Sequence, residues 1–320
     1  MEIIKLQRKL DFTSDDTLEV AVAPNAGACF GVVRAIKLGE QALTKHDQSG
    51  DQTPVYSFGQ LIHNPKVVKH FEEKGLQVVS TPDGVEVGTV VLRSHGVQKD
   101  IEKKLKDKGV HIVDATCPLV KKPQRIAQSL GQKGYFLIIV GDSNHPEVRG
   151  VKSYFGSERV LVTYHPEDLA KIPEEETKVG IIAQTTIEVA VLNKVIEGAK
   201  ARFADVAVYN TICDATSIRQ SEAVELAGNA EVVVVVGGKN SSNTCKLVKI
   251  CEKLQPATHH IEDLVELDPQ WFAGKKKIGV TGGASTPHDY VDEVAGKIIQ
   301  IITGSMPARP VDHEPLALEH

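Results

Sequence analysis

The sequence predicts an α/β protein built from three pseudo-equivalent units with mainly parallel sheets. Apolar strand-like runs alternate with amphipathic helical segments along most of the chain, which is typical of parallel α/β architecture. Cys29, Cys117 and Cys213 each follow an apolar run, and they are separated by 88 and 96 residues. This near-equal spacing indicates three similar units that each deliver one thiol to a common centre.

The individual elements follow from apolar periodicity. Short apolar runs predict strands at 19–23, 54–58, 89–93, 110–113, 136–140, 159–163, 179–183, 206–209, 231–236 and 277–281. Apolar residues at three- and four-residue spacing predict helices at 31–46, 65–74, 98–108, 119–133, 187–203, 217–227, 243–254 and 288–303. The expected units are 18–117, with Cys29 and Cys117 near its ends, then 118–212 and 213–304, followed by a proline-containing tail at 305–320.

Composition narrows the class of protein. The net charge of −5 disfavours a nucleic-acid-binding stripe, and no run reaches transmembrane length. The N-terminus lacks the apolar stretch of a signal peptide, so we expect a cytoplasmic protein, or one in an organellar stroma after removal of a transit peptide. An odd number of cysteines, five, indicates reduced thiols rather than a disulfide framework.

The three spaced cysteines predict a shared metal site. Any one of them could be an ordinary buried thiol, but each lies among Gly, Thr, Asp or Pro at a strand end. Structural zinc normally has four protein ligands, and an iron–sulfur cube is usually held by four thiolates. A cube held by only three leaves one iron open to a substrate oxygen. Cys245 and Cys251 fall inside a helical pattern and are interpreted as core or surface residues.

Polar side chains recur where the predicted strands end, the edge at which parallel sheets bind ligands. His63, His95 and His145 lie in three such loops and together suggest a cationic or hydrogen-bonding cradle for an anion. Glu147 is a candidate proton donor, since burial beside an anionic ligand would raise its pKa; it could equally be a stabilising acid at a helix N-terminus.

A glycine-rich turn at 237–243 opens a predicted helix and offers a second anion site. It lacks the spacing of a P-loop, and no dinucleotide-binding glycine motif follows a strand. Hydroxyl groups of Thr185 and Ser285 could add donors to the same oxygens. A serine nucleophile is disfavoured because its glycine-flanked motif is absent.

Taken together, these motifs resemble the 4-hydroxy-3-methylbut-2-enyl diphosphate reductase family of the non-mevalonate isoprenoid pathway. The similarity spans 25–285, nearly the whole body of the chain. It rests on Ala28-Cys29-Phe30-Gly31-Val32, His63-Asn64, Ser94-His95-Gly96-Val97, Asp114-Ala115-Thr116-Cys117-Pro118, His145-Pro146-Glu147-Val148, Gln184-Thr185-Thr186, Ile212-Cys213, Arg219-Gln220, Ser241-Ser242-Asn243 and Gly283-Ala284-Ser285. Two departures are visible: Ala28 stands where the family usually has Phe, and His288 where it often has Asp.

The resemblance implies three α/β units around a central [4Fe-4S] cluster with one iron that no cysteine ligates. By position, the cluster ligands are Cys29, Cys117 and Cys213, and Glu147 relays a proton. The diphosphate-binding residues implied in the same way are His63, His95, His145, Ser241, Ser242, Asn243 and Ser285, with Thr185 also lining the pocket.

The implied reaction is reductive dehydroxylation of 4-hydroxy-3-methylbut-2-enyl diphosphate to isopentenyl and dimethylallyl diphosphate, with the substrate hydroxyl on the unique iron. Electrons would come from an external donor such as ferredoxin or flavodoxin, because no flavin or nicotinamide motif is present. Two alternatives stay open from the residues alone: a redox-neutral iron–sulfur hydro-lyase, and a non-catalytic zinc-binding module.

Overall fold

The computed structural model describes residues 6–12, 17–50 and 52–304, so the predicted tail at 305–320 lies outside the described residues. The strands are β1 (Leu6–Arg8), β2 (Glu19–Val22), β3 (Val55–Phe58), β4 (Leu76–Val79), β5 (Thr89–Leu92), β6 (His111–Asp114), β7 (Phe136–Val140), β8 (Val160–Thr163), β9 (Lys178–Ala183), β10 (Asp205–Val208), β11 (Val232–Val236), β12 (Thr258–Ile261) and β13 (Lys277–Gly282). The α-helices are α1 (Phe30–Ser49), α2 (Pro65–Glu73), α3 (Lys99–Asp107), α4 (Pro118–Gln132), α5 (Pro146–Phe155), α6 (Val189–Arg202), α7 (Asp214–Asn229), α8 (Ser242–Leu254) and α9 (His288–Thr303).

The strands form three sheets, in the orders β1-β2-β13-β11-β12, β4-β3-β5-β6 and β10-β9-β7-β8. Every described strand pairing is parallel. The predicted fold class, three α/β units with parallel sheets, is therefore confirmed. Each sheet contains the same arrangement of four strands. Across the sheet, the strands of a repeat lie in the order second, first, third, fourth.

The third repeat is permuted, and this changes one part of the predicted organisation. We expected the strand at 19–23 in the first unit, 18–117. Instead β2 pairs with β13, from Lys277 opposite Glu19 to Val280 opposite Val22, in the sheet of the C-terminal strands. The N-terminus thus supplies the fourth strand of the third repeat, a connection that proximity in sequence cannot indicate.

The chain divides into two compact units. One comprises the described parts of Met1–Ala28 and Ile218–His320 and contains the five-stranded sheet; the other, Cys29–Ser217, contains the two four-stranded sheets. The central strands are buried on both faces, as in β11, where all five valines are inaccessible. None of the helices that the structure describes is long and apolar enough to cross a bilayer. The predicted compartment stays a prediction.

Candidate functional site

Each of the three spaced cysteines lies at the start of a helix. Cys29 is the N-cap of α1, Cys117 is the N-cap of α4, and Cys213 directly precedes α7. A helix N-terminus carries partial positive charge, which stabilises an anionic thiolate nearby. The helix starts therefore provide a favourable electrostatic environment for thiolates that are bound to a metal.

Within the unit Cys29–Ser217, the three thiols lie close together. A Cβ placed on Gly31 would lie 2.5 Å from Cys117 Sγ and 3.9 Å from Cys29 Sγ. Burial is the main reason that the pKa of Cys117 is raised to about 11; the neighbouring thiols of Cys29 and Cys213 contribute to the rise, and backbone N–H groups of Leu119 and Val120 oppose it. Such a buried thiol loses its proton when a metal ion binds. The crowded thiols and the side-chain-free Gly31 fit a metal cluster held by three cysteines.

Backbone hydrogen bonds connect two of these cysteines to loops that carry other predicted site residues. The Cys117 N–H donates to the carbonyl of Ser94 at 2.9 Å, one residue before His95. The Cys213 N–H donates to the carbonyl of Thr185 at 3.0 Å. Neighbouring parallel strands thus place a cysteine and a polar side chain side by side, as the strand-end argument predicts.

The three predicted histidines form a cluster in the same unit. The ring centroids of His63 and His95 are 4.5 Å apart, those of His95 and His145 are 5.5 Å apart, and those of His63 and His145 are 6.1 Å apart. One ring nitrogen from each lies within 4.8 Å of the others. The cluster is therefore compact enough for all three rings to contact one small ligand.

Protonation decides which ligand suits this cluster. The Glu147 N–H donates to Nδ1 of His145 at 3.2 Å, so the neutral ring carries its proton on Nε2. Burial and the charge of Arg93 lower the pKa of His63. Burial, the other two histidines and Arg93 hold the pKa of His95 well below its ordinary value. A neutral ring can donate its N–H to an anion or offer its unprotonated nitrogen to a metal ion; in His145 that nitrogen already accepts the Glu147 N–H, so this ring is arranged to donate.

Arg93 is a site residue that the sequence analysis missed. It follows β5 directly, its Nε donates to the carbonyl of Gly96 at 3.1 Å, and its charge acts on both His63 and His95. Burial and the charge of Arg149 lower the pKa of Arg93. The only sequence signal was its position immediately before Ser94-His95.

Glu147 is almost completely buried, with 1% of its surface exposed, in the first turn of α5. Its carboxyl oxygens accept hydrogen bonds from the backbone N–H and the Oγ1 hydroxyl of Thr185, both at 2.7 Å. Burial raises the pKa of Glu147 to about 7, although the two bonds from Thr185 lower it. This carboxyl can therefore hold or release a proton near neutral pH.

The remaining predicted residues lie in the other unit. Ser241 caps α8 by accepting the Thr244 N–H at 3.3 Å, and Ser285 Oγ lies 3.4 Å from Ser241 Oγ. Both polar side-chain atoms of Asn243 are buried and have no hydrogen-bond partner among the described residues. Ser242 begins α8 and is half-buried. An unpartnered buried amide beside two hydroxyls marks a place for a polar ligand.

The two other cysteines lie in α8, as the helical pattern predicted. Cys251 is fully buried in the core, and burial raises the pKa of its thiol to about 12. Cys245 is half-buried and donates to the carbonyl of Lys239. Neither belongs to the three-thiol cluster that we describe in the unit Cys29–Ser217.

Comparison with known proteins places these features in a family. A model described as LytB protein matches residues 20–299. The chain is 44% identical over 284 residues to "4-hydroxy-3-methylbut-2-enyl diphosphate reductase" of Pelobacter propionicus, covering 89% of this chain and 99% of the relative. It is 43% identical over 284 residues to the protein of the same name from Geotalea uraniireducens, with 89% and 98% covered.

Solved structures agree with the sequence comparisons. A structure entitled "Structure of (E)-4-Hydroxy-3-methyl-but-2-enyl Diphosphate Reductase, the Terminal Enzyme of the Non-Mevalonate Pathway" matches with 38% identity and a TM-score of 0.66, covering 90% of this chain and all of that one. The reductase structure from Plasmodium falciparum has the same fold, with a TM-score of 0.83 at 24% identity and 95% of both chains covered. The chain belongs to the LytB protein family.

Proposed function

We propose that this chain reduces 4-hydroxy-3-methylbut-2-enyl diphosphate to isopentenyl and dimethylallyl diphosphate, the activity named for its relatives. The reaction consumes two electrons and two protons and releases water. The observation that carries the proposal is the arrangement around Thr185, which bonds through its backbone to Cys213 and through its N–H and hydroxyl to Glu147. A proton source thus lies beside a cysteine of the three-thiol cluster.

Cys29, Cys117 and Cys213 would hold a [4Fe-4S] cluster. When bound, the cluster supplies electrons and one open iron that acts as a Lewis acid towards the substrate hydroxyl. The close approach of the thiols, and the absence of a side chain at Gly31, support this assignment. The reducing equivalents come from an external one-electron donor, a ferredoxin or a flavodoxin.

The histidine cluster would bind the diphosphate. His63 and His95, whose pKa values are lowered, and His145, through Nε2, offer N–H donors, and Arg93 adds positive charge close to two of the rings. Binding through neutral donors holds the anion without the desolvation cost of several buried charges. The family resemblance also implies that Ser241, Ser242, Asn243 and Ser285, which lie in the other unit, take part in substrate binding.

Glu147 would deliver the proton. A carboxyl with a pKa of about 7 is protonated in a useful fraction of molecules at neutral pH, and it can be reprotonated between turnovers. Thr185 orients it, because its N–H and its hydroxyl fix both carboxyl oxygens. The same hydroxyl offers a path for the proton towards the substrate.

The experiment is Glu147→Gln in protein reconstituted anaerobically with iron and sulfide. Glutamine keeps the shape and one acceptor but has no acidic proton, so substrate binding and iron content should be retained while turnover falls at least a hundredfold. Glu167→Gln, at an exposed carboxyl, is the matched control. Near-normal turnover of Glu147→Gln would refute its role. Two electrons consumed per product distinguish the reductase from a redox-neutral hydro-lyase, and a colourless zinc-loaded protein would indicate the binding module.

A further inference from the structure

Two helices of the unit Cys29–Ser217 expose apolar side chains directly after a proposed cluster ligand. On α1, Phe30 and Val33 are 47% and 48% exposed, and on α4 Leu119 is 41% exposed. Phe30 is the residue after Cys29, and Leu119 is the second residue after Cys117. Single exposed apolar side chains are normal on a protein surface, but three at the starts of two helices that carry proposed ligands form a candidate contact patch.

The starts of these helices lie side by side. A Cβ on Gly31 would contact Cys117 Sγ at 2.5 Å, so the first turn of α1 lies against the N-cap of α4. Arg34 strengthens this contact by donating to the carbonyls of Thr116 at 3.2 Å and Asp114 at 3.3 Å. The exposed apolar residues therefore belong to the starts of two helices that contact each other at two of the proposed ligands.

Basic residues continue the exposed faces of both helices. Lys37 lies one turn beyond Val33, and Lys122 and Arg125 follow Leu119 at three-residue spacing. All three are exposed, and none forms an ion pair with a carboxylate in the part of the chain that the structure describes. The neighbouring Lys121 is already paired with Asp114. A chain with a net charge of −5 thus carries a local basic rim here.

We propose that this surface, formed by Phe30, Val33, Leu119, Lys37, Lys122 and Arg125, is the docking face for an acidic one-electron carrier protein. The inference rests on the proposed function, which requires an external donor. An apolar centre with a charged rim is the usual anatomy of a transient interface, and electron-transfer complexes are small. Opposite charges steer such partners and raise the rate of encounter. The location shortens the path to the cluster, on which electron-transfer rates depend steeply.

The test compares two reductants on the reconstituted holoenzyme. One is a reduced plant-type [2Fe-2S] ferredoxin with strong negative charge, and the other is reduced methyl viologen, a small molecule that needs no docking face. The variant is the triple substitution Lys37→Glu, Lys122→Glu, Arg125→Glu. The control triple, Lys103→Glu, Lys104→Glu, Lys194→Glu, makes the same charge change at exposed residues of α3 and α6.

We expect the test variant to lose at least tenfold in kcat/KM with ferredoxin and to lose the inhibition of that rate by salt. Its rate with methyl viologen should stay within twofold of the wild type, and the control triple should retain ferredoxin-dependent turnover within about threefold. An equal loss with both reductants, or no loss with ferredoxin, would overturn the proposal. So would self-association of the wild type that the test triple abolishes. Failure of the wild type with both reductants would instead contradict the proposed function.

Discussion

Replacing Gly31 by alanine tests whether the three thiols hold a common cluster. Gly31 lies in the first turn of α1, and the added Cβ would lie 2.5 Å from Cys117 Sγ and 3.1 Å from Cys117 Cβ. Ordinary contacts between such atoms begin at about 3.4 Å, so the sulfur must move by about 1 Å. Metal–ligand distances tolerate only about 0.2 Å, and the substitution therefore removes Cys117 as a ligand.

The same change should not harm the protein without its cluster. A free thiol can turn to another rotamer, the Cys117 Cβ at 3.1 Å needs to shift only slightly, and alanine is preferred over glycine inside a helix by about 1 kcal/mol. Gly228→Ala in α7 is the matched control, because no atom lies within 4 Å of its added Cβ and the gain in helix propensity is similar. The effect of Gly31→Ala should thus be confined to cluster binding.

The assay is iron and sulfide content per chain after anaerobic reconstitution, together with the unfolding temperature of the cluster-free protein. We expect Gly31→Ala to retain less than half of the iron of the wild type, while Gly228→Ala retains all of it. Both cluster-free variants should unfold at or above the wild-type temperature. A full complement of iron in Gly31→Ala, with an unchanged spectrum of the reduced cluster, would refute the proposed convergence of the thiols.

Three further predictions concern Glu147 and the N-terminal strand. Thr185→Val removes a hydroxyl that stabilises the charged carboxylate of Glu147, so the pKa of Glu147 should rise. The decline of turnover on the alkaline side of the pH profile should therefore move up by about one pH unit. An unmoved profile would show that this hydrogen bond does not set the pKa of Glu147. Because the pKa of Glu147 is raised, its contribution to stability is present below about pH 4.5 and is lost as the pH rises to about 7. Over that range the cluster-free wild type should lose up to about 3 kcal/mol relative to Glu147→Gln in urea unfolding, and parallel curves would argue against burial of the charge. Arg8→Ala removes an ion pair with Asp292 at 2.8 Å and hydrogen bonds to the carbonyls of Pro24 and Ala26 at 3.2 Å. The free energy of unfolding, measured in urea, should therefore fall by about 2 kcal/mol. A fall of less than about 0.5 kcal/mol would contradict a stabilising role of these contacts.

The sequence predicted central elements better than edge elements. Central strands such as β7 and β11 are buried along their whole length and read as continuous apolar runs. The edge strands β1, β4 and β12 were missed, because β4 exposes its two middle residues and β12 contains two histidines. Helix α5 was missed because Pro146 and Gly150 interrupt the helical pattern, although Pro146 lies at the first helical position, where proline is favoured.

The polar residues at the ends of the predicted strands were the sequence feature that predicted the site. His63, His95 and His145 were predicted to share a cradle, and the structure brings their rings together. Arg93 was not predicted, because its influence depends on neighbours from separate strand-end loops rather than on a local motif. Burial of Glu147, with a raised pKa, was one of two alternatives at the sequence level, and the structure shows that the carboxyl is both buried and in the first turn of α5.

The permuted third repeat makes Cys29 different from the other two cysteines. Cys117 follows β6, which pairs with the preceding strand β5. Cys213 follows β10, which pairs with the preceding strand β9. Cys29 follows β2, whose partner β13 begins at Lys277. Local pairings form before distant ones, because closing a long loop costs more conformational entropy. The strand before Cys29 is therefore paired with β13 only when the C-terminal strands have formed, whereas the strands before Cys117 and Cys213 pair within a short stretch of chain.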